Sequence, residues 1–254
     1  MKPVLVDLGG LEITSYGLSK ALAALAAGWL LARELARYGR EPGLAWPLTF
    51  AGFVGGFVGA KLYYLAENVG NLSVHDLGGT GFTWFGGLIG GALAVLWVAR
   101  RQRIPFAEIA GMAASPLAVA YGIGRLGCLL AGDGTYGAPS DLPWAMSFPD
   151  GEVPTSERVH PAPLYEAIAA FATAWLLWRN RARVSPMMLF AVFAVLQGLA
   201  RFLVEFVRLN DEAVAGLTGA QLWSLALMLL GLALAARELR GDRRGLVVPG
   251  KAPG

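Results

Sequence analysis

Cysteine occurs once, at Cys128, and histidine twice, at His75 and His160. A lone cysteine excludes an intrachain disulfide and any Cys-rich metal site. Two histidines with no H-E-x-x-H or comparable spacing make no ligand set for a catalytic metal, so neither a metal nor another cofactor is expected. Charge is also scarce: Asp, Glu, Lys and Arg together make up 15% of the chain against 56% hydrophobic residues, too little polar surface to cover a soluble domain. The net charge of +3 is carried by arginines grouped between apolar runs, so no nucleic-acid partner is read from it.

What is present is a series of long apolar runs. Seven reach or approach the length that crosses a hydrocarbon core, at about residues 16–32, 46–66, 81–99, 109–131, 161–178, 186–207 and 217–235. The expected fold is therefore an all-α, multi-pass membrane protein of seven transmembrane helices. Arg33, Arg37 and Arg40 follow the first run, Arg100, Arg101 and Arg103 the third, and Arg179, Arg181 and Arg183 the fifth; Arg237, Arg240, Arg243, Arg244 and Lys251 lie beyond the seventh. The opposite connections hold only Lys2, Arg158 and Arg208. The positive-inside rule then places the N-terminus outside and the C-terminus in the cytoplasm, which an odd number of spans satisfies. One domain over residues 1–237 is expected, with 132–160 as a small extracytoplasmic cap and 238–254 as a disordered cytoplasmic tail. No removable signal peptide is expected in VLVDLGGLEITS.

Alternating helix direction gives each polar residue a depth. Tyr16, Lys61, Arg125, Glu166, Arg201 and Glu205 all fall in the outer half of their runs, whereas the cytoplasmic halves are apolar. An arginine at membrane depth costs about 2.5–3.5 kcal/mol on an insertion scale, so a partner or an aqueous cavity is required. Arg201, Glu205 and Arg208 repeat at i, i+4 and i+7 on one helix face. The plain alternative there is an intrahelical ion pair with Arg208 reaching for the interface. Counting Lys61, Arg125, Arg201 and Arg208 against Glu166 and Glu205 leaves positive charge in excess, and guanidinium forks suit a phosphate. An anionic phospholipid headgroup is the expected ligand at that depth. The glycines of the second and third runs recur at four-residue spacing, which is close helix packing for most of them. Backbone access for a ligand is reserved for Gly86 and Gly87. His160, Tyr165 and Glu166 stand together in HPAPLYE at the start of the fifth run; Pro161 or Pro163 suits a helix start, and the glutamate suits its positive end.

These segments, SYG at 15–17, GAKLYY at 59–64, FGGLIG at 85–90, GRLG at 124–127, HPAPLYE at 160–166 and ARFLVEFVR at 200–208, resemble in order and spacing the prolipoprotein diacylglyceryl transferases of bacterial cytoplasmic membranes. The resemblance covers nearly the whole chain. It implies transfer of the diacylglyceryl group from phosphatidylglycerol to the lipobox cysteine of a prolipoprotein, at the outer leaflet of the inner membrane. It further implies that Arg125 and Arg201 recognise phosphate and stabilise the leaving group, with Glu205 orienting Arg201 and Arg208 completing the face. Tyr16 would lie near the lipid, and Tyr165 with Glu166 would shape the rim.

Three positions differ from the resemblance. Phe85 stands where the family usually has a histidine, Cys128 where it has an asparagine, and GDGTYG where it has a glutamate and a further arginine, with Asp133 at the glutamate's place. The proton acceptor is thereby left open between Glu166 and Asp133. Cys128 is one helical turn from Arg125; a packed thiol is the expected role and a nucleophile the alternative. Two other functions stay open: a paralogue with another lipid donor or acceptor, and an inactive protein that binds anionic lipid. A transporter would need a polar path through the cytoplasmic half, where the runs have no charged residue.

Overall fold

The computed structural model describes residues 2–7, 9, 12–70 and 83–241. Seven α-helices follow the apolar runs closely: α1 Ser15–Arg37, α2 Ala45–Glu67, α3 Trp84–Arg101, α4 Phe106–Ala131, α5 Ala162–Asn180, α6 Pro186–Glu205 and α7 Gly219–Gly241. Four stretches, Pro42–Glu67, Phe106–Ala131, Pro186–Glu205 and Gly219–Gly241, are long and apolar enough to cross a membrane. The chain is thus mostly helical rather than wholly so. Among the described residues, three two-stranded antiparallel pairs lie outside the helices: β1 Val4–Asp7 with β2 Glu12–Thr14 ahead of α1, β3 Met146–Phe148 with β4 Thr155–Val159, and β5 Glu212–Val214 with β6 Leu217–Thr218. Strands this short leave no alternating pattern long enough to read.

Helix α7 continues to Gly241, and Glu238 within it accepts from the Ser185 hydroxyl. The rest of the tail, and His75, lie outside the described residues.

Contacts divide the chain into two compact units, one of Gly28–Ile109 and one of Met1–Ala27 with Ala110–Gly254. The first is organised by glycine. A Cβ on Gly59 would sit 2.7 Å from the Gly90 Cα, and one on Gly91 would sit 3.0 Å from the Gly52 carbonyl oxygen, so only bare backbones allow α2 and α3 to approach this closely. Two ion pairs finish this unit, Arg40 to Glu108 at 2.6 Å and Arg37 to Glu34 at 2.7 Å.

The second unit stacks the start of α1 with α4 to α7, and its contacts define two ends. At one, Ser115 donates to the Ala174 carbonyl at 3.2 Å, and Gly111 lies so close to Pro186 that a Cβ would meet its Cα at 2.5 Å. Helix α6 begins here because Ser185 accepts from the Met188 amide and Pro186 takes the first helical position. Ala114, Leu177 and Leu189 form a buried cluster beside it. At the other end, Gly127 of α4 leaves the space that Ser19 of α1 fills. The buried apolar residues are largely alanines, while Phe50, Phe57, Trp175, Leu203 and Leu229 are exposed, an arrangement suited to lipid rather than water.

Candidate active site

The far end of the second unit, where α4 and α6 finish and α5 and α7 start, gathers the charged residues. Tyr121 and Arg125 are one helical turn apart on α4 and share a face. The Tyr121 hydroxyl donates to Glu166 Oε1 at 2.7 Å and accepts from Arg125 Nε at 3.1 Å. Arg125 also meets Glu166 directly, Nη2 to Oε1 at 3.0 Å and Nε to Oε2 at 2.9 Å. From α6, Arg201 Nη1 lies 2.5 Å from Glu205 Oε2, and its Nε lies 3.7 Å from Glu166 Oε1. Arg208 stands 3.8 Å from an oxygen of each carboxylate. All five charged groups therefore belong to one network.

The network is layered. The side chains of Glu166 and Glu205 are 1% and 0% exposed, whereas those of Arg125, Arg201 and Arg208 are 17%, 24% and 11% exposed. Carboxylates lie behind and guanidiniums in front. Three positive groups against two negative leave one positive charge in excess, at the more open layer. Neither Glu166 Oε2 nor Glu205 Oε2 accepts a well-angled hydrogen bond, so both oxygens are held by charge proximity.

Neutral groups fix the rear layer. Glu205 Oε1 accepts from Thr218 Oγ1 and from Asn210 Nδ2, each at 2.7 Å. Thr218 also opens α7 through a reciprocal cap: its amide donates to Gln221 Oε1 at 3.0 Å, and its hydroxyl oxygen accepts from the Gln221 amide at 3.2 Å. One threonine thus starts a helix and orients a buried carboxylate.

The segment 132–160 is ordered by β3 and β4 and is tied to the network through Arg208. Arg208 Nη1 donates to the Thr135 carbonyl at 2.9 Å, and the Ala138 amide donates to the Val207 carbonyl at 2.7 Å. Arg208 does not reach for an interface. Burial and the neighbouring Arg201 push its guanidinium below the usual arginine value. The GDG turn makes this docking possible, since Gly132 and Gly134 adopt φ of 61° and 80°, conformations that glycine takes without strain. Between them Asp133 Oδ1 accepts from the amide and the hydroxyl of Thr135, at 3.1 and 2.6 Å. Asp133 shapes the turn that presents the Thr135 carbonyl.

Other expected residues are placed differently. The His160 Nδ1 lies 3.2 Å from the Tyr165 hydroxyl, which accepts from Trp144 Nε1 at 2.8 Å, giving a separate chain of polar contacts on the cap side. Cys128 Sγ is 3.8 Å from Arg125 Nη1 and buried. Tyr16 is 37% exposed, and Lys20 Nζ lies 4.3 Å from its ring centroid. Lys61, Gly86 and Gly87 belong to the other unit. There Lys61 Nζ lies 5.7 Å from the Tyr64 centroid, and both glycines turn their bare faces to α2, Gly87 with room for a Cβ only 3.4 Å from the Gly56 carbonyl oxygen.

A family model described as prolipoprotein diacylglyceryl transferase matches residues 3–237. The chain belongs to the prolipoprotein diacylglyceryl transferase family. Proteins named phosphatidylglycerol–prolipoprotein diacylglyceryl transferase are similar to it along almost their whole length. The one from Clostridium tetani is 32% identical over 240 residues, covering 91% of this chain and 96% of its own. That from Geobacter sulfurreducens is 35% identical over 251 residues, covering 92% and 94%, and that from Pseudomonas putida F1 is 34% identical over 250 residues, covering 91% and 92%.

Every residue of the arginine–glutamate network lies inside the range that matches the diacylglyceryl transferase family. Sequence reasoning missed Tyr121, Asn210 and Thr218. Tyr121 had a readable signal, four residues before Arg125, and Thr218 had the T-x-x-Q pattern of a capping box. Asn210 had none.

Proposed function

We propose that this chain transfers the diacylglyceryl group of phosphatidylglycerol to the lipobox cysteine of a prolipoprotein. The layered network carries the reading, because it offers guanidinium forks at its open side and one unbalanced positive charge to a phosphodiester. In the reaction a bond forms between the cysteine sulfur and the glyceryl carbon as the bond from that carbon to the phosphate oxygen breaks. The oxygen keeps the electron pair and departs as glycerol phosphate, which takes up the proton that the thiol loses. Charge grows on the phosphate as it leaves, which is where Arg125 and Arg201 stabilise it. Glu166 and Glu205, each committed to arginines, act by holding those donors in place, and Arg208 with the cap closes the side next to them.

The protein is placed in the bacterial cytoplasmic membrane with seven spans, its N-terminus and network on the outer side. The distribution of arginines between the helices supports this orientation. Cysteine introduced at exposed Ser156 should be labelled by an impermeant reagent from outside intact spheroplasts, and cysteine at Arg103 only after lysis. The opposite pattern overturns the orientation.

The reaction is tested by expressing the chain in cells depleted of their own transferase and weighing a lipobox peptide. A peptide carrying thioether-linked diacylglycerol is expected. Good expression with an unmodified peptide defeats the reading.

A further inference from the structure

Three helices end in the same way. Trp29 and Arg33 in α1, Trp97 and Arg101 in α3, and Trp175 and Arg179 in α5 are each four residues apart in the closing turns of their helix. Helical side chains lean toward the N-terminus, so an arginine at i+4 folds back over a tryptophan at i. It does so in each case, with the guanidinium carbon 3.9, 5.2 and 5.9 Å from the indole centroid. Arg181 lies over Trp178 at 3.5 Å beside the last of these.

These arginines differ from their neighbours. Arg37 and Arg40 are tied to Glu34 and Glu108, but Arg33, Arg101 and Arg179 have no carboxylate partner among the described residues. All three are exposed, and so are Trp29, Trp97 and Trp175. An indole at a helix end settles at headgroup depth. A guanidinium lying on it by cation–π attraction is held at the same depth, with its N–H edge left for a second partner.

We propose that these three helix ends are binding sites for anionic phospholipid headgroups, distinct from the arginine–glutamate network. The occupant is a lipid rather than a free anion, because each cation sits on an exposed apolar ring of a helix whose outer surface is itself apolar. Its phosphate meets the paired donors of the guanidinium while the acyl chains cover the indole. That these ends meet the cytoplasmic leaflet rests on the orientation proposed above. The lipid preference depends neither on that orientation nor on the transfer reaction.

The test uses the full chain in detergent, titrated with phosphatidylglycerol or with phosphatidylcholine of the same acyl chains, and counts retained lipids by native mass spectrometry. Lipid held at the network is common to every variant and cancels in the comparison. The wild-type protein should prefer phosphatidylglycerol, and Arg33→Gln, Arg101→Gln and Arg179→Gln should each weaken that preference by about fivefold. Replacing Trp29, Trp97 and Trp175 with leucine should weaken it about two- to fivefold at each end, while phenylalanine should keep more of it. An unchanged preference in the combined glutamine variant overturns the proposal. So does an unchanged preference in the leucine variant, which would reduce the stacks to bare charge. Should the combined variants fail to fold, Arg101→Gln and Trp97→Leu alone decide in the same way.

Discussion

Arg125 and Glu166, 41 residues apart in the chain, meet through two direct contacts of 2.9 and 3.0 Å, and the Tyr121 hydroxyl bridges the same pair. The pair joins the last part of α4 to α5 one turn in from its start. Through Glu166 it also reaches Arg201 of α6, so three helices share one buried carboxylate.

Removing either front arginine should stop transfer. Arg125→Ala and Arg201→Ala are each expected to lower the rate at least about a hundredfold, the scale of losing a donor aimed at developing charge. Mass analysis of the lipobox peptide measures it, and a variant within a few-fold of wild type would remove that arginine from the proposed role.

Glu166→Ala should act on stability as well as on rate. It strips a fully buried carboxylate from Arg125 and Arg201, and breaking a buried pair on one side costs about 3–5 kcal/mol. Thermal unfolding in detergent should show a large drop, with Glu166→Gln milder because the amide still accepts from Tyr121.

Cys128→Ala should keep transfer and cost about 1 kcal/mol or less of stability, the effect of trimming a small buried side chain. Loss of transfer in both Cys128→Ala and Cys128→Asn, with folding intact, would show that the sulfur takes part.

Arg208→Gln should loosen the cap. It removes a charge-assisted bond to the Thr135 carbonyl, worth about 1.5–3 kcal/mol. Limited proteolysis should cut faster within residues 132–160 than in wild type, and an unchanged rate would mean that the Ala138 to Val207 bond holds the cap unaided.

Gly59→Ala should destabilise the glycine-packed unit by about 1–3 kcal/mol, since the added methyl meets the Gly90 backbone. The same change at Gly70, which has nothing within 4 Å, should be nearly silent in a melting experiment.

Helices were the most legible feature, because long apolar runs state where each lies, although α1 and α7 carry on past their runs through the arginines that follow them. Arg125, Glu166, Arg201 and Glu205 were legible for a related reason, that charge inside such runs is conspicuous, and Arg208 through its spacing from the last two. Tyr121 and Thr218 carried weaker signals, a spacing of four from Arg125 and a T-x-x-Q pattern, which are easily passed over because tyrosine and threonine have many ordinary uses. Asp133 was noticed for its charge, yet its carboxylate serves a turn, a use that depends on the glycines on either side. Gly86 and Gly87 show the reverse difficulty: the spacing suits both packing and ligand access, and only Gly86 lies so close to α2 that a Cβ would meet the Tyr63 side chain.

Ser19 fills the space left by Gly127, and between these two partners the chain inserts the whole of the glycine-packed unit, Gly28–Ile109. That order has a consequence in time. At roughly 5–20 residues per second, synthesis of the residues between Ser19 and Gly127 takes on the order of 5–21 s, during which Ser19 lacks its partner on α4. The beginning of the protein must therefore wait for its middle.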